Sequence, residues 1–324
     1  MITDPVEDAK QLNELIKSKD KDDNKLIKLV TSRTHEERMK IKEEYNSTMN
    51  SDLIKDLQSA YSHHFKDVLV GLFYSRIDYD CYQIRKAVKG LGTDEAALIE
   101  ILTTRTPETI EKMKSRYKEM FPGHDMITDI KDDTSGSFWI VLKALLENKR
   151  EINENPDFQE CEKCAKILFD AGPNKSTNVE TFTKILTKKS KEEIVMIGKI
   201  YHKMTNSNIL ADAQKFFSGD TKKAIVGMIY GILSQSEYFA ILVNEAVKGL
   251  GTRDTSLIRI MITRDEVDMP QIKQFYKALY KKDMVEDIRD DTSGSYQKIL
   301  IELANYLKKH QFINNNDLFQ KNLL

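Results

Sequence analysis

Cysteine, proline and tryptophan are scarce in this 324-residue chain, with three, six and one residue, and glycine reaches only 13. The three cysteines, Cys81, Cys161 and Cys164, are too few and odd in number for a secreted disulfide framework and fit a reducing compartment. Long apolar runs are also missing. No stretch approaches the ~18 apolar residues of a membrane span, and the opening MITDPVEDAK lacks the apolar core of a signal peptide, so a cytoplasmic protein is expected. Charge of one sign is absent too: 50 Lys plus Arg stand against 51 Asp plus Glu. No global field therefore draws the chain onto nucleic acid, which is not expected as a partner, or onto an anionic membrane. An anionic partner has to be held locally or through a bound cation.

What is present is a folded, helix-leaning composition, 40% hydrophobic and 31% charged. The phrase LIEILTTR (Leu98–Arg105) returns as LIKLVTSR (Leu26–Arg33), LIRIMITR (Leu257–Arg264) and, loosely, FTKILTKK (Phe182–Lys189). Spacings of roughly seventy to eighty residues give four repeats. Their approximate bounds are 5–75, 76–150, 155–233 and 234–311, followed by a tail, 312–324, with no equivalent elsewhere. Apolar residues recur at three and four positions, as in Leu98, Ile101 and Leu102, and breaks at KGLGT, TRTPE, FPGHD and DDTSG cut repeat II into about five helices. The expected fold is all-α, with about twenty helices. The polar stretch Glu147–Phe158 between the second and third repeats suggests two pairs of repeats.

Two phrases carry chemistry. VKGLGT occurs at Val88–Thr93 and Val247–Thr252, and each copy is answered by DDTSGS, at Asp132–Ser137 and Asp290–Ser295. Two glycines one residue apart permit positive φ angles and outward carbonyls. A hard cation such as Ca²⁺ takes six to eight oxygens, accepting carbonyls, water and a bidentate carboxylate. Asp133, 43 residues after Gly90, and Asp291, 42 after Gly249, can supply that carboxylate. The expected ligands are the carbonyls of Val88, Gly90 and Gly92 with Asp133, and those of Val247, Gly249 and Gly251 with Asp291. One carboxylate per ion leaves net positive charge and open positions for a lipid phosphate, and predicts weak binding that tightens on phospholipid. Repeats I and III lack the parts: KSKDKDD and SAYSHH in the first, GPNKSTN and KFFSGD in the third, where Phe216 aligns with Asp133 and Asp291.

Other patterns read as structure. Gly90 and Gly92 lack the third glycine of a dinucleotide loop because Glu95 stands there, and no G-K-S/T follows. DKDDNK (Asp20–Lys25) has Lys25 where an EF-hand needs glycine, which leaves a solvated acidic loop. Cys161-x-x-Cys164 has no second pair to complete a zinc site and falls in a helical pattern. His63-His64 reads as a polar helix start, and Trp139 as core on the apolar helix SFWIVLKALL. No catalytic triad stands out, and beside the cation sites only Asp132 and Asp290 offer a general base, so a non-enzymatic protein is expected.

On the phrases K-G-x-G-T-D-E (Lys89–Glu95), L-I-x-I-L-x-x-R and D-T-S-G, ordered along four repeats, the chain resembles the annexins, Ca²⁺-dependent phospholipid-binding proteins. The resemblance covers essentially the whole chain. It implies a right-handed solenoid of four five-helix repeats forming a curved disc, with Ca²⁺ loops that dock on anionic phospholipid membranes peripherally and reversibly. It also implies accessory metal candidates, Thr93 with Glu95 and Thr252 with Asp254, while Lys89 and Lys248 are candidates for lipid headgroup contact. Val88 and Val247 replace a common methionine, harmlessly for a carbonyl ligand, and Arg253 replaces the aspartate of G-T-D. With loops in two repeats only, a two-site protein needing more Ca²⁺ or more anionic lipid is expected. The segment before the first helix is short, so the long regulatory N-terminal region of some annexins is not expected. A monomer in solution is expected, with self-assembly on membranes left open, and the alternative is a cytoskeleton-associated scaffold of the same fold.

Overall fold

The computed structural model describes residues 4–150, 152–172, 178–249 and 253–306, and among them every regular element is a helix. Repeat I contributes α1 (Pro5–Lys17), α2 (Asp23–Thr31), α3 (His35–Thr48), α4 (Leu53–Ala60) and α5 (His63–Leu72). Repeat II holds α6 (Arg76–Ala87), α7 (Glu95–Thr104), α8 (Pro107–Met120), α9 (Met126–Asp133) and α10 (Gly136–Leu146). Repeat III holds α11 (Phe158–Asp170), α12 (Val179–Lys188), α13 (Lys191–Thr205), α14 (Ile209–Phe216) and α15 (Gly219–Leu233). Repeat IV holds α16 (Gln235–Val247), α17 (Asp254–Arg264), α18 (Met269–Tyr280), α19 (Met284–Asp291) and α20 (Gly294–Asn305).

Local chemistry sets these boundaries. Thr34 and Ser190 each open the third helix of a repeat with a capping box, closed by Glu37 and Glu193. In repeat II, Thr106 caps α8 and Pro107 occupies its first turn, where a missing N–H costs nothing. A tyrosine of each third helix donates to an aspartate of the fourth: Tyr45 to Asp56 (2.8 Å), Tyr117 to Asp129 (2.7 Å), Tyr201 to Asp212 (2.8 Å) and Tyr276 to Asp287 (2.6 Å). Burial first, and then the carboxylate, pushes all four phenols above their ordinary pKa. This bond holds the short fourth helix, and so the acid at its end, at a fixed angle to the bundle.

The helices form two compact modules, one of residues up to 79 with those from 239, the other of residues 80–238. Repeat I therefore packs with repeat IV and repeat II with repeat III, so Glu147–Phe158 lies inside a module. Its residue Arg150 donates to the carbonyls of Lys189 (2.6 Å) and Leu186 (2.8 Å), and burial brings its pKa down to about 10. In the first module one continuous core runs from Leu26, Leu57 and Leu69 to Phe239, Leu257 and Ile299. There the fully buried Arg38 pairs with Asp265 at 3.0 Å. In the second, α15 lies so close to α7 that a Cβ on Gly231 would sit 2.0 Å from the Thr103 carbonyl oxygen.

Candidate cation loops

In repeat II the two phrases meet. α6 ends at Ala87, and the Asp94 N–H donates back to the Ala87 carbonyl at 2.9 Å, closing the intervening residues into a loop. Asp94 then caps α7 through its side chain, which accepts from the Ala97 N–H at 3.0 Å. Within the loop Gly90 and Gly92 have φ of 118° and 85°, and a Cβ on either would meet nothing within 4 Å. The backbone is left-handed there and stands clear of the body. Leu91 between them is fully exposed, and Lys89 is exposed.

Asp133 is the last residue of α9, and the Thr93 hydroxyl donates to it, 2.6 Å from Oδ2 and 3.0 Å from its main-chain carbonyl oxygen. The loop and the distant acid are thus joined by a side chain of the loop itself. After Asp133 the chain turns through Ser135 and Gly136, whose φ of 57° lets α10 start at once. Among the described residues no three His, Cys, Asp or Glu converge on a metal position. A cation in this loop would depend on main-chain oxygens for most of its shell, with Asp133 as its one carboxylate, a donor set that suits Ca²⁺ and not a softer metal. Glu95 is the first residue of α7 and half-buried.

Repeat IV repeats the frame with differences. The Arg253 N–H donates to the Ala246 carbonyl at 2.9 Å, Gly249 has φ of 122°, and Asp291 ends α19. Leu250, Gly251 and Thr252, and with them the expected ligands Gly251 and Thr252, lie outside the described residues. Val247 ends α16 half-buried, as Val88 is, and Lys248 is exposed. Arg253 makes no side-chain cap, so α17 lacks the bond Asp94 gives α7. Asp254 instead lies 3.2 Å from His64 Nε2 of repeat I. Tyr296 stands beside this pair, and burial, reinforced by the charge of Asp254, pushes its hydroxyl above the ordinary range.

The other two repeats carry the same corners with other chemistry. Phe216 ends α14 where Asp133 ends α9, and its ring meets Phe182 edge-on at 6.4 Å. The Asn178 N–H still donates to the Ala171 carbonyl at 3.2 Å, so the loop frame survives without the acid. In repeat I, Ala60 ends α4, and Lys21, aligned with Thr93, donates its ammonium to the carbonyl of Ile16, aligned with Val88. The same ammonium lies 5.2 Å from the centre of the Tyr61 ring. A tethered cation thus takes a carbonyl that in repeat II belongs to the open loop. His63 holds the corner position of Gly136 at φ 52°, in the region that disfavours side chains.

Sequence reasoning missed Thr93 as the partner of Asp133, Lys21 as the occupant of repeat I, and Leu91, although an apolar residue between two glycines was a signal for the last. Cys161 and Cys164 are buried on α11, and burial raises both thiols, an environment that suppresses the thiolate needed for metal or redox work. Trp139 is only half-buried and borders a groove, so the expectation of a core residue is corrected: the exposed face of α10 carries it.

The annexin family model matches four segments, 7–72, 79–145, 163–228 and 238–303. The chain belongs to the annexin family. Annexins are Ca²⁺-dependent phospholipid-binding proteins. Annexin A13 of Canis lupus familiaris is 36% identical over 297 residues, 91% of this chain and 94% of the relative. Human annexin A11 is 34% identical over 302 residues, and the chain spans 60% of that relative's length. Among solved structures, annexin III superposes with a TM-score of 0.89 at 29% identity, covering 94% of both chains. Calcium-bound annexin (Sm)1 does so at 0.81 and 26%, over 94% of this chain and 91% of the other. No described helix is long and apolar enough to cross a membrane.

Proposed function

We propose that this annexin binds anionic phospholipid membranes reversibly when Ca²⁺ rises, through cation sites in repeats II and IV. The proposed ligands are the carbonyls of Val88, Gly90 and Gly92 with Asp133, and those of Val247, Gly249 and Gly251 with Asp291. The observation that carries the reading is the Thr93–Asp133 contact of 2.6 Å, which brings the acid of one phrase onto the glycine loop of the other. The calcium-bound structure of annexin (Sm)1 supports the choice of ion.

Charge explains the coupling to lipid. A doubly charged ion held by one carboxylate keeps about one positive charge and open positions, and a lipid phosphate satisfies both. Each phosphate-bridged ion thereby stabilises the ion and the membrane contact together, so Ca²⁺ and lipid raise one another's affinity. Leu91, fully exposed at the loop tip, adds about 1.5–3 kcal/mol if it leaves water for the headgroup boundary. Lys89 and Lys248 stand beside the loops as headgroup contacts, each contributing about 1 kcal/mol near an anionic surface. Thr93 with Glu95 remains the accessory pair of repeat II. In repeat IV the 3.2 Å contact with His64 Nε2 engages Asp254, which makes it the weaker accessory ligand.

The test is co-sedimentation with phosphatidylserine vesicles across free Ca²⁺. The wild-type chain pellets with Ca²⁺ and stays in solution with EGTA, and the double variant Asp133→Ala, Asp291→Ala stays in solution at every Ca²⁺ level. Pelleting of the double variant at wild-type Ca²⁺ removes the assigned sites, and strong pelleting in EGTA removes the bridging mechanism.

A further inference from the structure

Helices α10 and α12 pack side by side in the second module and leave between them an open groove of about 730 Å³. One wall carries Trp139 and Lys143 of α10 with Glu147 and Lys149 just after it, and the α12 wall Glu180, Lys184 and Lys188. Positions 180, 184 and 188 stand four apart and share one helix face, as do 139 and 143 on α10. The lysines are exposed. Lys143 is 4.0 Å from Glu147, whereas Lys149, Lys184 and Lys188 make no ion pair among the described residues. Four lysines against two glutamates leave the groove positive in a chain that is almost neutral overall. Trp139, the only tryptophan, offers its half-buried ring at one end.

We propose that this groove docks an extended acidic peptide segment of a protein partner, with carboxylates on Lys149, Lys184 and Lys188 and an apolar side chain against Trp139. The dimensions agree: Glu180 to Lys188 spans about 12 Å of helix, the length of about four extended residues. Charge complementarity selects the class. A nucleic acid carries a phosphate at every step and would bring one against Glu147 and Glu180, while a peptide places acids at the lysines and neutral or basic residues at the glutamates. Asn148 points the same way. The residue lines the groove and its Oδ1 is buried without a hydrogen-bond partner, so a turn of the amide would present an acceptor. Peptide N–H groups are donors and phosphates are not. A bilayer resting at the Asp133 corner would meet the Trp139 end only, because Lys149 lies past the far end of α10, which ends about 10 Å beyond Trp139. The proposal does not rest on the Ca²⁺ reading, since none of the groove's residues belongs to the loops or acids of that reading.

Trp139 is its own reporter. A short acetylated peptide of alternating Glu and Leu, titrated into the full chain in EGTA, shifts the Trp139 emission and gives a heat of binding, with a Kd of order micromolar. The same peptide with Lys for Glu does neither. In the variant Lys184→Glu, Lys188→Glu the affinity falls at least about tenfold, while the thermal melt and Ca²⁺-dependent vesicle binding stay as in the wild type. The absence of both signals with the acidic peptide, or an unchanged affinity in the double variant, overturns the proposal. A tighter response to oligothymidylate or to phosphatidylserine vesicles in EGTA also overturns it, because the groove then belongs to phosphates.

Discussion

Repeats II and III pack together in one module, and their fourth helices end at corresponding corners, yet α9 delivers a carboxylate to its own and α14 a phenyl ring. Both keep the loop-closing bond, from Asp94 to Ala87 and from Asn178 to Ala171. The difference lies in what fills the gap between loop and corner. In repeat II it is polar and open, with Thr93 on Asp133 and two glycines clear of the body. In repeat III the apolar contact of Phe216 with Phe182 takes that place, and a Cβ on Gly172 would meet the Phe216 ring at 2.8 Å. Repeat I offers a third solution, a lysine ammonium on the Ile16 carbonyl at the end of α1. One helical frame therefore tolerates an open polar loop, a tethered ammonium or a hydrophobic plug, because the frame is fixed by the Tyr–Asp bonds and the cores and not by the corner.

Substitutions at the corner break or sharpen this comparison. Phe216→Asp has the largest expected effect: it removes ring packing and places a charge against Phe182, at a cost of about 3 kcal/mol in urea unfolding. It adds no Ca²⁺ equivalent by calorimetry, since repeat III has no glycine loop to supply carbonyls. An added equivalent would show that the acid alone decides. Thr93→Val, placed in an Asp291→Ala background so that repeat II reports alone, removes the hydroxyl that orients Asp133. A hydrogen bond to a charged group is worth about 1.5–3 kcal/mol, so the Ca²⁺ needed for half-maximal vesicle binding rises about tenfold or more. An unchanged midpoint would reduce Thr93 to a spectator. Lys21→Met costs about 1 kcal/mol of stability through the lost carbonyl bond and ring contact, and thermal unfolding reads it. No loss would mean that repeat I needs no cation at all. His63→Gly is the smallest change, a gain of about 0.5–1 kcal/mol from relieved left-handed backbone, less the entropy glycine adds to the unfolded chain. A loss instead would show that the His63 ring matters more than its φ.

The period of the repeats, the helices and the helix-end positions of Asp133 and Asp291 were legible because they are written locally. A 3.6-residue apolar rhythm, a Thr or Ser with Glu three positions on, and a repeated phrase can each be read without knowing what lies across the fold. The alignment of Phe216 with Asp133 was equally local, since both close a helix of the same length. The linker misled for the same reason. Glu147–Phe158 is polar, but Arg150 inside it is drawn down onto the carbonyls of repeat III, a contact with no signature in the linker's own letters.

By itself, then, the sequence determined four helical repeats and named Asp133 and Asp291 as the acids of two of them, since helix periodicity and repeated spacing are properties of neighbours along the chain. Only the tertiary structure decided that repeat I packs with IV and II with III, that Thr93 grips Asp133, that His64 engages Asp254, and that Trp139 borders a basic groove. Those outcomes depend on residues dozens to hundreds of positions apart, as with Arg38 and Asp265 in one buried pair. Contacts of that kind are selected by burial and charge pairing in the folded core, where the order of residues along the chain no longer says which groups meet.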